Sequence, residues 1–125
     1  MTFRVACIAG HHIVRNASIP YQTSKDAAEK ISKIWAGRLQ PAQVRVNAIA
    51  PGVFPSEMTQ ASSPEAYNDP NHHMHESIKS NPIPRSGSVE DFAGLTLFLG
   101  SRAGAYLNGA SIVIDGGRLL NRSAA

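Results

Sequence analysis

The sequence contains a single cysteine, Cys7, among its 125 residues. One cysteine cannot form a disulfide within the chain, and this usage is typical of a reducing compartment. No apolar stretch approaches the roughly 20 residues that a membrane-spanning helix needs. The short apolar run near the N-terminus is too brief for the core of a secretory signal peptide. We therefore expect a cytoplasmic protein with no membrane partner.

Charged side chains are sparse and scattered. They make up 17% of the chain, with twelve basic residues against nine acidic ones and a net charge of +3. Nucleic-acid-binding proteins carry clustered Lys and Arg, often on one face, and this sequence has no such cluster. An apolar content of 42% is typical of a globular chain, and the length allows one domain at most. These numbers predict one globular domain that does not bind nucleic acid.

The most informative stretch is Tyr21-Gln22-Thr23-Ser24-Lys25. A tyrosine and a lysine four positions apart on a helix lie on the same face. A phenol titrates near pH 10, and an ammonium about 4 Å away would favour the phenolate by up to ~4 kcal/mol at an effective dielectric of about 20. The spacing therefore favours a proton-transfer pair acting on an alcohol or a carbonyl. Because Tyr-x-x-x-Lys also occurs often by chance, packing on the surface is the alternative.

Apolar periodicity predicts strands alternating with helices. The expected strands run from Phe3 to Ala9, from Val44 to Ala50 and from Ser111 to Ile114. The first expected helix runs from Tyr21 to Gln40, and the second begins with Ser88 as a hydroxyl N-cap. Such an alternation is typical of a parallel sheet with helices on its faces.

The two predicted helices differ in their apolar pattern. In the first, apolar residues recur at helical spacing opposite charged ones, which predicts an amphipathic helix with Trp35 in the core or at an interface. Its apolar positions are Ala27, Ala28, Ile31, Ile34, Trp35 and Leu39. In the second helix, Phe92 to Leu99 is apolar nearly all round, which predicts a buried helix.

The stretch from Thr59 to Asn81 is long and polar, which is typical of a functional or disordered loop. Short helical turns are expected at Glu65 to Tyr67 and from His73 to Lys79. The motif His72-His73-Met74-His75 offers metal-ligating side chains. No second ligand cluster occurs elsewhere in the sequence, so solvated loop histidines and no metal site are the favoured interpretation.

Four motifs follow one another along the chain, namely Cys7-Ile8-Ala9-Gly10, Tyr21 to Lys25, Val44 to Gly52 and Gly109 to Gly117. In that order and at those separations they resemble the second half of a short-chain dehydrogenase/reductase, from about Val5 to Leu120. The resemblance implies an α/β fold, a partial Rossmann-like doubly wound parallel sheet that keeps the last three strands with their helices. Residues 1–125 would be the C-terminal part of that domain, and the N-terminal nucleotide-binding half would be absent.

The resemblance also implies catalytic residues. The expected activity is that of an NAD(P)-dependent oxidoreductase acting on a small-molecule alcohol/ketone pair. Tyr21 would be the general acid/base, and Lys25 would hold the nicotinamide ribose and lower the pKa of Tyr21. Cys7 stands where the family has a serine that hydrogen-bonds the substrate oxygen, and a thiol is a weaker donor than a hydroxyl. The motifs look closest to members that reduce acyl-thioester or polyketide-like carbonyls.

Further residues are implied for the cofactor. The family pattern Pro-Gly-x-x-x-Thr-x-Met is matched from Pro51 to Met58, with Ser56 in place of the threonine. By resemblance, Pro51 and Gly52 form the turn, the Val53 backbone meets the nicotinamide carboxamide, and the Ser56 hydroxyl meets the phosphates. Tyr21 and Lys25 would contact the cofactor as well.

A glycine-rich turn that cradles the pyrophosphate is missing, because none of the ten glycines forms that fingerprint after a strand. The expected cofactor is NAD or NADP, with no residue that selects between them.

The predicted sheet leaves its first strand with one unpaired edge, and such an edge favours association. Pairing with another copy, or with a separate polypeptide that supplies the missing half, would cover it. In the family the tyrosine-bearing helix pairs with its copy in a neighbouring subunit, so a homo-oligomer is expected. The alternative to an enzyme is a non-catalytic remnant, a pseudoenzyme or interaction module. The missing phosphate cradle and Cys7 both favour that alternative.

Overall fold

The computed structural model describes residues 2–5, 7–10, 13 and 17–120. Strands β1 (Thr2–Val5), β2 (Val46–Pro51) and β3 (Ser111–Ile114) occur with helices α1 (Ile19–Arg38), α2 (His75–Lys79) and α3 (Val89–Gly100). Within these residues no helix combines the length and apolarity needed to cross a bilayer.

The described strands form one parallel sheet in the order β1-β2-β3. Val5 pairs with Ile49 across the first interface, and Pro51 pairs with Ile114 across the second. The carboxyl ends of all three strands therefore meet at one edge, where open α/β sheets bind their ligands. This arrangement confirms the predicted α/β parallel sheet.

The first predicted strand is longer than the observed one. Strand β1 ends at Val5, and Ile8–Gly10 forms a 3-10 turn instead of continuing the strand. Ala6 lies outside the described residues. Strand β3 has the predicted bounds, and β2 begins two positions later than predicted and includes Pro51.

Helix α1 packs on the sheet through small and polar residues. Its buried residues are Glu29, Ser32 and Ala36. Its large apolar side chains are partly exposed, at 38% for Ile31, 42% for Ile34 and 38% for Trp35. Trp35 is therefore not in the core, because the close approach of the helix to the sheet selects small side chains on the packed face.

Polar residues on the buried face of α1 have hydrogen-bond partners. The Ser32 hydroxyl donates to the carbonyl of Ala28 at 2.8 Å. The Glu29 carboxylate accepts from Lys33 Nζ at 2.9 Å, one helical turn away. These contacts let a polar face stay buried without leaving its groups unsatisfied.

Helix α3 starts as predicted but is less buried than predicted. Ser88 Oγ accepts from the Asp91 N–H at 3.3 Å, and Asp91 Oδ2 accepts from the Ser88 N–H at 2.9 Å, which forms a capping box. Leu99 is its buried residue, whereas Val89 is 79% and Leu97 is 72% exposed. The prediction of a buried helix is wrong because the described residues cover only one side of α3.

Hydrogen bonds from Arg45, just before β2, and from Asn47, within it, organise the chain between α3 and β3. The guanidinium of Arg45 donates to three carbonyls, those of Leu99 at 2.8 Å, Gly104 at 2.7 Å and Leu107 at 3.0 Å. The buried Asn47 side chain donates to Leu107 and accepts from the Ala110 N–H at 3.0 Å. Since a charged donor serves the last carbonyls of α3, it also complements the negative end of that helix dipole.

Residues 56–81 fold around a small apolar cluster of Ala61, Tyr67 and Ile78. The predicted short turns are present as a 3-10 turn at Pro64–Asn68 and as α2. His75 is 3% exposed, and its Nδ1 hydrogen-bonds the Tyr67 carbonyl at 2.7 Å, so the prediction that it is solvated is wrong. Among the described residues, no group of three or more His, Cys, Asp and Glu side chains is arranged to hold a metal ion.

Candidate active site

Tyr21 and Lys25 lie on one face of α1, one helical turn apart. The Lys25 Nζ stands over the Tyr21 ring, 5.6 Å from its centroid. Both residues are partly buried. An ammonium over an aromatic face is a cation–π contact, so Lys25 interacts with the ring.

The Ile8–Gly10 turn brings Cys7 to the same place. A Cβ added at Gly10 would lie 3.0 Å from the backbone of Lys25 and Asp26, so a glycine is needed for this approach to the helix. The Gly10 N–H donates to the Cys7 carbonyl at 2.9 Å, which closes the turn. The Cys7 side chain lies near enough to the Tyr21 hydroxyl to raise the pKa of that phenol.

The surroundings of Tyr21 favour its protonated form. Burial first, and then the hydrogen bond and charge of Cys7, raise the pKa of Tyr21 to about 12. The predicted lowering of this pKa by Lys25 is therefore wrong for the structure described. The physical reason is that desolvation disfavours the phenolate, while the ammonium lies over the ring face. At neutral pH, Tyr21 holds its proton.

The turn after β2 is fixed at the same edge of the sheet. The Gly52 N–H donates to the Ile114 carbonyl at 2.9 Å, and the Val53 carbonyl accepts from the Gly87 N–H at 2.9 Å. A Cβ added at Gly52 would lie 2.8 Å from Asp115, so the ends of β2 and β3 approach too closely for any larger residue. Hydrogen bonds and close packing together place Pro51, Gly52 and Val53.

Ser56 is exposed, and its hydroxyl is engaged within its own turn. Its Oγ accepts from the Thr59 N–H at 3.3 Å and lies 3.1 Å from Thr59 Oγ1, in a capping box for the Glu57–Thr59 turn. The structure thus brings Cys7, Tyr21 and Lys25 together, whereas Ser56 serves local folding.

Comparisons with known proteins identify the family. A family profile described as Enoyl-(Acyl carrier protein) reductase matches residues 3–118. A short-chain dehydrogenase/reductase, PhomF′ of Diaporthe leptostromiformis, is 38% identical over 82% of this chain and 34% of its own length. The chain belongs to the short-chain dehydrogenase/reductase family.

A second curated member of the short-chain dehydrogenase/reductase family is similar to the chain to about the same extent. The rhamnolipids biosynthesis 3-oxoacyl-[acyl-carrier-protein] reductase of Pseudomonas aeruginosa is 37% identical over 90% of this chain and 42% of its own length. The chain therefore spans less than half of these curated relatives.

Solved structures of the family have the same fold. The RhlG/NADP active-site complex of Pseudomonas aeruginosa superposes with a TM-score of 0.80 at 35% identity, over 93% of this chain and 43% of that one. A 4-hydroxyisoleucine dehydrogenase complexed with NADH superposes with a TM-score of 0.81 at 27% identity, over 96% of this chain and 47% of that one. The fold is thus a partial Rossmann-like domain of the short-chain dehydrogenase/reductase type.

The residues present fit one end of the nicotinamide cofactors bound by those relatives. A phenol, an ammonium and the backbone after β2 are a donor set suited to a ribose and a carboxamide. The sequence has no glycine-rich cradle for the phosphates. The contact of Ser56 with them stays a prediction, because a hydroxyl that accepts one hydrogen bond can still donate another. The described residues therefore fit the nicotinamide end best.

A cavity of about 160 Å³, which sequence reasoning missed, borders the turn after β2. Val53 and Phe54 line one part, residues 81, 83, 85–87 and 91 line a second, and residues 114–116 line a third. Tyr21, Lys25 and Cys7 are not among its lining residues. No local sequence pattern predicts it, because it forms between segments that are far apart in the chain.

Proposed function

We propose that this chain carries the proton-transfer part of an NAD(P)-dependent oxidoreductase that interconverts an alcohol and a ketone. The observation behind the proposal is the cluster in which Lys25 Nζ stands over the Tyr21 ring, 5.6 Å from its centroid, with Cys7 near enough to affect the pKa of Tyr21. The cofactor, when bound, supplies the hydride.

In the direction of reduction, Tyr21 donates its proton to the carbonyl oxygen while the carbonyl carbon receives the hydride. Tyr21 holds its proton at neutral pH, as a proton donor must, and the raised pKa makes it a weaker acid than a phenol in water. Cys7 acts as a weak donor to the same oxygen, and Lys25 holds the ribose. Val53 contributes its backbone to the carboxamide, beside Pro51 and Gly52.

The proposed substrate class is a 3-oxoacyl thioester. The relative from Pseudomonas aeruginosa is named as a reductase of such a group on an acyl carrier protein. That name supports the choice of the first substrate to be assayed.

We also propose that activity needs the nucleotide-binding half that residues 1–125 do not contain. A second copy of this chain would cover α1, and a polypeptide with a glycine-rich turn would supply the phosphate cradle. A cytoplasmic location stays a prediction from the single cysteine.

A second candidate is a non-catalytic remnant that keeps the fold. Two observations favour it, the engagement of the Ser56 hydroxyl in its own turn and the thiol in place of a serine at position 7. The two candidates differ in whether the chain binds a nicotinamide cofactor at all.

Cofactor titration tests the proposal. The full chain is titrated with NADPH and with NADH, nicotinamide fluorescence is followed, and turnover of a 3-oxoacyl thioester is assayed. We expect the chain alone to bind the cofactor in the millimolar range, since the phosphate contacts are missing. Turnover is expected only after a polypeptide with the nucleotide-binding half is added, and Tyr21→Phe should abolish it. Tyr106→Phe is the matched control, because Tyr106 is fully exposed. Absence of binding at millimolar cofactor would contradict the enzyme proposal for this polypeptide and favour the remnant.

A further inference from the structure

About half of the wall of the cavity beside Val53 is apolar. Val53, Phe54, Ile83 and Ile114 contribute hydrocarbon side chains. The Phe54 ring is held edge-to-face against Phe92, with the ring centroids 5.9 Å apart. This geometry is favourable for an aromatic pair, so one wall of the cavity is fixed in place. A ligand with a short hydrocarbon group would match these walls.

The charged groups that border the cavity are already paired. Arg85 donates to both carboxylate oxygens of Asp91, at 2.6 and 3.1 Å, and this bond holds the pKa of Asp91 well below its usual range. The Asp115 carboxylate accepts from the N–H groups of Gly117 at 2.8 Å and Leu119 at 2.9 Å. An anionic ligand would lose its water without gaining a free counter-charge, so an uncharged ligand is favoured over an anion.

One polar group at the cavity lacks a partner. Ser86 is 4% exposed, and its Oγ has no hydrogen bond within the described part of the chain. Asn81, the other buried polar residue there, accepts from Arg118 at 3.3 Å through its Oδ1. Because buried polar groups nearly always find a partner, the unpaired hydroxyl of Ser86 points to a ligand that supplies one.

We propose that this cavity binds a small uncharged molecule in which a short hydrocarbon group carries one amide, carbonyl or hydroxyl group that hydrogen-bonds to Ser86. The Oγ is shielded as it stands, and rotation of Ser86 to another staggered rotamer presents it to the ligand. The volume of about 160 Å³ is near the roughly 150 Å³ of an apolar cavity that accommodates benzene. The ligand therefore has about six heavy atoms. The site does not include Tyr21, Lys25 or Cys7. It shares Val53 with the proposed contact to the nicotinamide carboxamide, and it does not depend on the proposed enzyme activity.

Butanamide is a probe of this size and chemistry, and its binding to the full chain can be followed by amide chemical shifts. We expect saturable shifts at Val53, Gly87 and Gly116, with a dissociation constant in the millimolar range. Butyrate, the charged counterpart, binds more weakly. Ser86→Ala weakens butanamide binding about tenfold, the effect of one hydrogen bond. Ser62→Ala, at an exposed position, leaves it unchanged.

Two further variants keep the test decisive if Ser86→Ala disturbs the fold. Ile83→Phe places a larger side chain at a position that is 51% exposed and lines the cavity, so the chain folds and butanamide binding is lost. Tyr21→Phe leaves binding intact. Absence of shifts at the three amides, equal affinity for butyrate, or binding that survives Ile83→Phe would each overturn the proposal. Loss of binding in Tyr21→Phe would place the probe in the candidate active site and overturn it as well.

Discussion

Strand β2 is held differently on its two sides. Towards β3, the side chains of Arg45, just before the strand, and Asn47, within it, donate to carbonyls 54 to 62 residues away in the sequence. Towards β1 the backbone ladder continues, and on that side α1 packs closely through the buried Ser32 and Ala36, with Gly10 against the helix backbone. Side-chain hydrogen bonds therefore reinforce the β3 side, and steric fit reinforces the α1 side.

This difference separates the two parts of the candidate active site. The turn from Pro51 to Val53 belongs to the hydrogen-bonded side, where Gly52 and Val53 each bond to the backbone. The cluster of Cys7 and Tyr21 belongs to the packed side, where an added methyl group at Gly10 disturbs the contact. The cofactor turn should therefore depend on hydrogen bonds, and the proton-transfer cluster on small side chains.

The largest loss of stability is expected when the side-chain hydrogen bonds on the β3 side of β2 are removed. Arg45→Met removes the donor to three carbonyls, and we expect the free energy of unfolding to fall by about 3 kcal/mol, since bonds from charged donors are the stronger ones. Urea denaturation measures this loss. Arg102→Met, at an exposed position, should change stability by less than about 0.5 kcal/mol. Equal stability of the two variants would show that water replaces Arg45 at these carbonyls.

The packed side can be tested with two glycines that receive the same methyl group. Gly10→Ala introduces a Cβ 3.0 Å from the backbone of Lys25 and Asp26, and we expect a loss of about 1–2 kcal/mol from overpacking. Gly37→Ala lies within α1 with nothing within 4 Å of the new Cβ, and it should stabilise the helix by about 0.5–1 kcal/mol. Urea denaturation of both variants gives the comparison. If both substitutions changed the free energy of unfolding in the same direction, steric fit would be ruled out as the basis of the Gly10 contact.

A smaller effect concerns the proton on Tyr21. Because the thiol contributes to the pKa of about 12, Cys7→Ala should lower that pKa towards the value near 10 of a phenol in water, while burial keeps it above that value. A raised pKa means that the folded state holds the proton more tightly. The contribution of this proton to the free energy of unfolding is fully present below pH 10 and is lost as the pH rises towards 12.

Phenolate absorbance followed against pH measures this titration. Tyr21 should appear as a late step, at a pH above that of an ordinary tyrosine, and Tyr21→Phe identifies this late step by removing it. Tyr106→Phe, at a fully exposed position, should leave the late step in place. An unchanged late step in Cys7→Ala would assign the raised pKa to burial alone.

Local signals in the sequence predicted the local structure. Ser88 and Asp91 form the capping box where a hydroxyl and an acid precede an apolar run, and β3 has the predicted bounds. The i, i+4 spacing placed Tyr21 and Lys25 on one face, as helical geometry requires.

Features that depend on contacts between distant segments could not be predicted. The face of α1 that packs on the sheet is chosen by the room available, which favours Ser32 and Ala36 over the larger Ile34. The pKa of Tyr21 depends on burial and on a thiol from a preceding turn. The cavity near Val53 is assembled from three separate segments.

The partly exposed apolar face of α1, formed by Ile31, Ile34 and Trp35, carries an intrinsic fluorophore. Trp35 is the one tryptophan in the chain, and it stands on that face at 38% exposure. Intrinsic emission excited at the indole therefore originates from a single place on the surface. Any molecule that covers the face shifts this emission to shorter wavelengths, so assembly can be followed without an attached dye.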